Sequence, residues 1–479
     1  MLTSERTTKK ESAPRTTWLQ RIGLFKALIA FLLPWWVEFP GLSEPGHRVF
    51  AIFLLAIVLW VTEAIPLHAT AAVIIFLEIL LVSDKSFLAL PAGFSAPRYN
   101  AYYGALAHPV IMLFLGGFFL ADGSAKYHLD RNLARILLRP FGDSPGRILL
   151  GLMLITALLS MFMSNTATTA TMMAVVLPVI LSLPKGDRMR TGLALCIPVA
   201  ANVGGIGTPV GTPPNAIALG AMAEVGVSIS FLQWMGMALP CMIILLLFSW
   251  QLLCRLFPCS QKQLTFRIDA QFDTSGPAVL FYAVAACTIL LWLTEPLHHV
   301  KSTVVGFLPV VILLSTRVFT TRDLQTIQWH VLWLVAGGIA LGVGVSASGL
   351  DTWLIGLVQW EQIWPALIPT VICLAALAMG TLISHSATAN LLVPVGISLA
   401  SSGEVSLSPM MAAFFIAIGS SLAMALPIST PPNAIAHSTG AVETKHMLLS
   451  GLLIGAVGLL LYVLLAPLLW SWMGITPPP

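Results

Sequence analysis

One heptapeptide occurs twice in this chain: Thr212-Pro213-Pro214-Asn215-Ala216-Ile217-Ala218 returns letter for letter as Thr430-Pro431-Pro432-Asn433-Ala434-Ile435-Ala436, an offset of 430 − 212 = 218. Seven consecutive identities in 479 residues do not arise by chance, and other pairs keep the same order. Trp60-Val61-Thr62-Glu63 is matched by Trp292-Leu293-Thr294-Glu295, Gly116-Gly117 by Gly337-Gly338, and Ser164 by Ser384. The chain is therefore two collinear copies of one unit, and its fold must give both copies comparable surroundings.

The medium for that fold follows from composition. The chain is 57% hydrophobic and 9% charged, whereas a soluble domain is about a quarter charged. A soluble globule is excluded. A bilayer core about 30 Å thick needs roughly 20 apolar residues per helix, and such stretches follow one another from about Phe25 to Trp472. They predict helices near 22–39, 48–66, 68–83, 106–122, 191–224, 231–254, 277–294, 302–316, 328–348, 409–440 and 446–473. Two more stretches, about 147–183 and 362–400, are apolar but broken midway by small and hydroxylated residues, as re-entrant helical hairpins would be. The expected fold is an all-α polytopic membrane protein with about 11 transmembrane helices plus the two hairpins. The polar, basic segment from Met1 to Gln20 precedes an apolar run in which Pro34-Trp35-Trp36 stands where a cleavage site would need small residues, so this run reads as a retained first helix.

Counting the second hairpin as no crossing, five spans separate the two Thr-Pro-Pro-Asn segments, so the copies face opposite ways, the inverted-repeat plan of many secondary transporters. With the N-terminus inside, cytoplasmic loops hold Lys126, Arg131, Arg135, Arg139, Arg147, Lys185, Arg188, Arg190 and six further cations, while outer loops hold only Arg48, Lys85, Arg98 and Lys301. That bias is the positive-inside pattern. It predicts an integral plasma (inner) membrane protein with a cytoplasmic N-terminus and an outward C-terminus. The chain then divides into a basic N-terminus (1–21), a first repeat (22–255), a cytoplasmic linker (256–276), a second repeat (277–474) and a tail (475–479). The net charge of +4 reflects loop bias and implies no nucleic-acid partner. The basic stretch from Lys126 to Arg147 reads as a solvated positive-inside loop in preference to an interfacial helix on anionic lipid, and bilayer lipid is the expected surrounding partner. The six cysteines show no metal-site or C-x-x-C spacing and read as core thiols.

The chemistry lies where the apolar stretches break. One hairpin turns through Ser160 to Thr169, containing Ser164-Asn165-Thr166, and the other through Thr381 to Thr388, containing Ser384-His385-Ser386. Such polar runs are costly in lipid unless they face protein or a water-lined cavity. Serine and threonine most often serve as helix glue, but recurrence at matching positions in both halves favours a binding site. Gly211-Thr212-Pro213-Pro214-Asn215 and Ser429-Thr430-Pro431-Pro432-Asn433 break two further helices, because consecutive prolines remove donors and clash with the preceding turn. Unwound carbonyls suit a cation, and the amides opening the next half-helix suit an anion. No Lys or Arg lies in these four elements, so positive field must come from helix ends, co-bound cations or His385. That set fits a small hydrophilic anion with a coupling ion. A proton antiporter would place an acid at the membrane centre, yet Glu63, Glu78, Glu224 and Glu295 fall near span ends. An intramembrane hydrolase using Ser384 and His385 would lack an orienting acid nearby. The remaining histidines, including His108, His330 and His437, fall mostly in loops or at span ends and read as packing or surface residues.

At these motifs the sequence resembles the divalent anion:sodium symporter family, over nearly the whole chain from Thr62-Glu63-Ala64-Ile65-Pro66 to the last helix. The resemblance implies a scaffold domain that dimerises and a transport domain, built from the hairpins and broken helices, that moves as an elevator. It implies substrate contacts from Ser164, Asn165, Thr166, Thr212, Pro213, Ser384, His385, Ser386, Thr430 and Pro431. A first sodium would be held by Ser160, Asn165 and the Gly211 carbonyl, and a second near His385 and Ser429. The sequence departs from the family pattern at that second place, since imidazole is a poor ligand for a hard cation and Gly380 lacks the hydroxyl of Ser160. Either backbone carbonyls hold the second sodium and His385 contacts substrate, or His385 replaces that sodium and the carrier becomes proton-dependent or an anion exchanger. Dicarboxylates lead as substrates, ahead of tricarboxylates, sulfate and sulfonates; no enzymatic activity is expected.

Overall fold

The computed structural model describes residues 18–264, 271–472 and 474, and every regular element among them is helical. Most of the predicted basic N-terminus, part of the linker and the 475–479 tail lie outside the described residues. Eight helices are long and apolar enough to cross a membrane, and Leu67–Leu81, Pro145–Ser160, Ser302–Ser315 and Pro409–Ser421 are shorter apolar helices beside them. The two interrupted stretches fold as helix pairs: Pro145–Ser160 with Asn165–Ser182, and Ile368–Leu382 with His385–Ser401. The two Thr-Pro-Pro-Asn segments each break a helix, separating Met189–Gly205 from Pro213–Glu224 and Pro409–Ser421 from Pro431–Ser438. Each new half-helix starts with proline, which is tolerated there because the missing donor would have had no partner.

The halves are interlaced. The helix Pro109–Lys126 packs on Ser302–Val305 and Leu308–Ser315 of the other half, and its counterpart Trp329–Ser348 packs on Leu67–Leu81. Glycine makes both approaches possible: a Cβ on Gly116 would strike the carbonyl of Gly306, and one on Gly337 would strike Ala71. The tryptophan pair found in the sequence does the same job twice. Fully buried Trp60 donates from Nε1 to Leu67 O at 3.3 Å, and fully buried Trp292 to Ser302 O at 3.1 Å, each tying a helix to the start of the next. Around the breaks, Pro213–Glu224 packs on His385–Ser401 and Pro409–Ser421, while Pro431–Ser438 packs on Asn165–Ser182 and Met189–Gly205. Each half-helix thus leans on the hairpin of the other repeat.

One sequence expectation differs from the structure. The basic stretch read as a solvated loop contains a helix, Leu129–Leu138, that buries Asp130, Asn132, Ala134 and Leu138. Its apolar residues recur at helical spacing, which the density of arginines obscured, and Asn132 donates to Gln271 O at 3.0 Å, joining it to the approach to the second repeat. Glu78 lies near the end of Leu67–Leu81, where the sequence places it, and is wholly buried against Gly344, because Trp329–Ser348 covers that end of its helix. It lies off the cavity described below.

The interlacing predicts that Gly116→Ala forces helices apart and costs about 1–3 kcal/mol, as overpacking does. Gly104→Ala, where a Cβ would meet open space, should change little. Thermal unfolding of the two variants in detergent, followed by size-exclusion chromatography, checks this.

Candidate functional site

The repeated heptapeptides fold alike. Thr212 and Thr430 precede their half-helices in extended conformation, at φ −147°, ψ 146° and φ −146°, ψ 146°. Their asparagines look inward to the chain. Asn215 Nδ2 lies within 2.8 Å of Thr208 O and 3.1 Å of Gly205 O, and Asn433 Nδ2 within 2.8 Å of Met424 O and 3.0 Å of Leu426 O. These donors satisfy carbonyls of the unwound turns, and in a bilayer each carbonyl left bare would cost several kcal/mol. A further asparagine, Asn202, binds across the repeat boundary, with Nδ2 3.3 Å from Asn433 Oδ1 and 3.4 Å from Thr430 Oγ1.

The hairpin tips are capped in the same way twice. Ser164 Oγ accepts from Ala167 N at 3.2 Å and Ser384 Oγ from Ala387 N at 3.3 Å. Asn165–Ser182 and His385–Ser401 therefore begin at the tips, with free first-turn amides beside the breaks.

A cavity of about 820 Å³ lies between the tips and the breaks. Its wall includes Ser164, Asn165, Thr166, Gly211, Thr212 and Pro213 from the first half, and Ser384, His385, Ser386, Ser429, Thr430 and Pro431 from the second. Ser160 stands behind this wall, fully buried. Among the described residues, no Lys or Arg lines the cavity, and its ionisable residues are Glu63, His330, His385 and His437. His330 and His437, read from the sequence as packing or surface residues, thus face the same space as the tips. The signal for His437 was its place directly after the second heptapeptide, where the first copy has Leu219. Nothing in the sequence pointed to Asn202 or Gln328, also on the wall.

In the first half, the Asn165 amide meets three neutral oxygens. Ser160 Oγ donates to Ala201 O at 2.8 Å, and the near end of the Asn165 amide lies 2.6 Å from Ser160 Oγ, 3.1 Å from Ala201 O and 3.0 Å from Gly211 O. With its nitrogen on that side the amide donates to these oxygens; with its oxygen there, the repulsion is relieved only by a cation among them. Ser160 Oγ, the two carbonyls and a turned Asn165 Oδ1 are neutral, hard donors of the kind an alkali cation takes. Gly205 makes room for this set, since a Cβ there would collide with the Asn165 amide.

The second half is built differently. His385, 7% exposed, has Nε2 2.8 Å from Ala423 O, so that nitrogen bears the proton and donates. Ser429 Oγ donates to Thr381 O at 2.9 Å. A Cβ on Gly380 would already stand 2.8 Å from Ala423 Cβ, so a hydroxyl matching Ser160 has no room.

Known proteins supply the context for this geometry. Residues 16–476 match the model of the sodium:sulfate symporter transmembrane region. The chain is 31% identical to the sodium-dependent dicarboxylate transporter SdcS of Staphylococcus saprophyticus, over 93% of this chain and 90% of that protein. It is 30% identical to the protein of the same name from Staphylococcus aureus strain USA300, with the same coverage. The fold is similar to the crystal structure of the YdaH transporter of Alcanivorax borkumensis, with TM-score 0.58 and 13% identity over 91% of this chain and 99% of that one.

The oxygen cluster predicts that sodium, exchanged for choline at equal ionic strength, raises the melting temperature of the purified protein. Saturation to 100 times the dissociation constant would add about 2.7 kcal/mol. Asn165→Ala and Ser160→Ala should abolish the sodium-dependent shift, whereas Ser429→Ala should leave most of it.

Proposed function

We propose, from the premise that this chain belongs to the sodium:sulfate symporter family, that it is a sodium-coupled carrier of small divalent anions, with four-carbon dicarboxylates of the succinate, malate and fumarate type as substrates. The observation that carries this reading is the convergence of Ser160 Oγ, Ala201 O and Gly211 O on the Asn165 amide, directly behind a cavity wall of hydroxyls, amides and helix N-termini. Four half-helices open on the cavity, beginning at Asn165, Pro213, His385 and Pro431. Their N-terminal partial charges favour an anion, and Ser164, Thr166, Thr212, Ser386 and Thr430 supply neutral donors for carboxylate oxygens. A dianion held without Lys or Arg gains from sodium the positive charge that the protein withholds, which makes affinity depend on the coupling ion. The names of the relatives support dicarboxylates over sulfate.

The second cation site is where we assign a difference. His385 brings its own N–H to the Ala423 carbonyl, and Gly380 cannot be furnished with a hydroxyl. We therefore assign one sodium to the first half and none to the His385 side. With one sodium per dianion, inward movement carries net negative charge against an inside-negative potential. Exchange for an internal dicarboxylate removes that cost, and this favours a second reading, in which the protein works as an exchanger.

We further assign the hairpins and broken helices to a transport domain and the remaining spans to a scaffold that forms the homodimer, moving relative to each other as an elevator. In the orientation set by loop charge, the N-terminus is cytoplasmic in the inner membrane and the repeat boundaries are those read from the sequence. Glu63, Leu67, Gln328, His330 and His437 then stand at cytoplasmic span ends, so the cavity opens inward.

Uptake of labelled succinate into proteoliposomes tests these readings. Stimulation by an inward sodium gradient, lost in Asn165→Ala, is the expected result for symport, with a sodium Hill coefficient near one that rises in His385→Asn. Uptake that ignores sodium but needs internal succinate would overturn symport in favour of exchange; absence of uptake in every condition would reject dicarboxylates.

A further inference from the structure

Each half carries one polar residue just before its glycine-bearing helix: His108 before Pro109–Lys126, and Gln328 before Trp329–Ser348. Both stand immediately before their helices, one residue out of register with the glycine pair, since 328 − 108 = 220 whereas 337 − 116 = 221. Their contacts nonetheless differ. Gln328 Nε2 donates to Ser164 Oγ at 2.8 Å, linking its helix to the tip of the first hairpin. His108 meets no hairpin tip. Its Nδ1 accepts from Val110 N at 3.3 Å, which leaves Nε2 to face Glu224 Oε1 at 3.3 Å, at the far end of the half-helix Pro213–Glu224. Correspondingly, Ser384 Oγ accepts from Ala387 N and, among the described residues, from no side chain. Glu443, near the end of the matching half-helix, pairs with Lys445 at 2.6 Å.

Two copies of one sequence unit thus hold two different sets of contacts at the same time. In an inverted repeat, exchanging those sets between the copies yields the opposite-facing arrangement from the same local structures. We propose that His108 and Gln328 are alternating positioning residues: in the outward-open state His108 Nε2 donates to Ser384 Oγ as Gln328 donates to Ser164 here, and the Gln328–Ser164 and His108–Glu224 contacts are released.

The chemistry allows the exchange. A neutral imidazole with the proton on Nε2 and a carboxamide can each give one N–H to a hydroxyl, and each serine oxygen uses its second acceptor position while capping its helix. At the hairpin serines one neutral hydrogen bond replaces another, so that exchange is close to neutral in energy, as a carrier that cycles between the two states requires. The unlike pair also gives the cycle a bias, because the Glu224 partner exists only in the inward-open set. This proposal rests on the carrier reading above, whose own test is uptake.

Disulfide cross-linking in a cysteine-free background, reconstituted in proteoliposomes with sodium and succinate on both sides, tests it. The pair Gln328→Cys with Ser164→Cys and the pair His108→Cys with Ser384→Cys should both cross-link on mild oxidation, and the mixed pair Gln328→Cys with Ser384→Cys should not. Cross-linking of the first pair alone, or of the second at the rate of the mixed pair, overturns the proposal. Because cross-linking reads distance, failure of the carrier reading appears separately, as a cysteine-free parent that takes up no succinate while both pairs still form. A second readout needs no pair: Ile428→Cys, on the exposed cavity wall, is labelled from the cytoplasmic side by an impermeant maleimide. Adding Gln328→Ala should lower that labelling about fivefold, the effect of one lost hydrogen bond, and Gln328→His should restore it. Unchanged labelling in Gln328→Ala overturns the role of Gln328.

Discussion

Unwinding a helix leaves backbone carbonyls bare inside a medium that supplies no donors, and everything at the centre of this protein follows from how that deficit is met. Asn215 and Asn433 meet it with their side chains, taking up the carbonyls of the unwound turn before each half-helix. The break can then persist without water, and the carbonyl of Gly211 is left turned towards the first hairpin. Without those asparagines the unwound segments would need solvent or would rewind, and the oxygen cluster and the exposed helix ends would both be lost.

Small residues decide what each break holds. Gly205 leaves room for the Asn165 amide beside Ser160, and an oxygen cluster results. Its counterpart is Ala423, by the offset of 218 residues, and that single methyl crowds Gly380 while its carbonyl takes the proton of His385. One half is thereby furnished for a hard cation and the other for a hydrogen-bond donor. The asymmetry needs no change in backbone plan, since the two threonines before the half-helices hold almost the same dihedral angles.

The interlacing of the repeats ties this centre to the rest of the molecule. Because each half-helix packs on the hairpin of the other repeat, the broken elements form one mutually supporting cluster. The glycine helices hold the outer elements together in the same reciprocal way, through Gly116 on Gly306 and Gly337 on Ala71. The links between the two groups include isolated polar contacts, Gln328 to Ser164 and His108 to Glu224. Contacts of that kind can be remade without disturbing a packed core.

The sequence by itself determined the membrane class, the duplication, the hairpins and the breaks, because apolar run length, proline pairs and repeated letters are local signals that need no knowledge of neighbours. It also singled out Ser160, Asn165 and Gly211, which come together in space. Ala201 was invisible because a backbone carbonyl leaves no mark in residue type, and Asn202 and Gln328 were invisible because their partners lie on segments far away in the chain. The arginine-rich helix Leu129–Leu138 was misread, and the burial of Glu78 went unseen, for the same reason: charge density and position along a span are one-dimensional, whereas burial depends on which helix covers the residue. Only the tertiary structure decided that His385 meets the Ala423 carbonyl, since that depends on the meeting of a hairpin tip with a helix end 38 residues further along the chain.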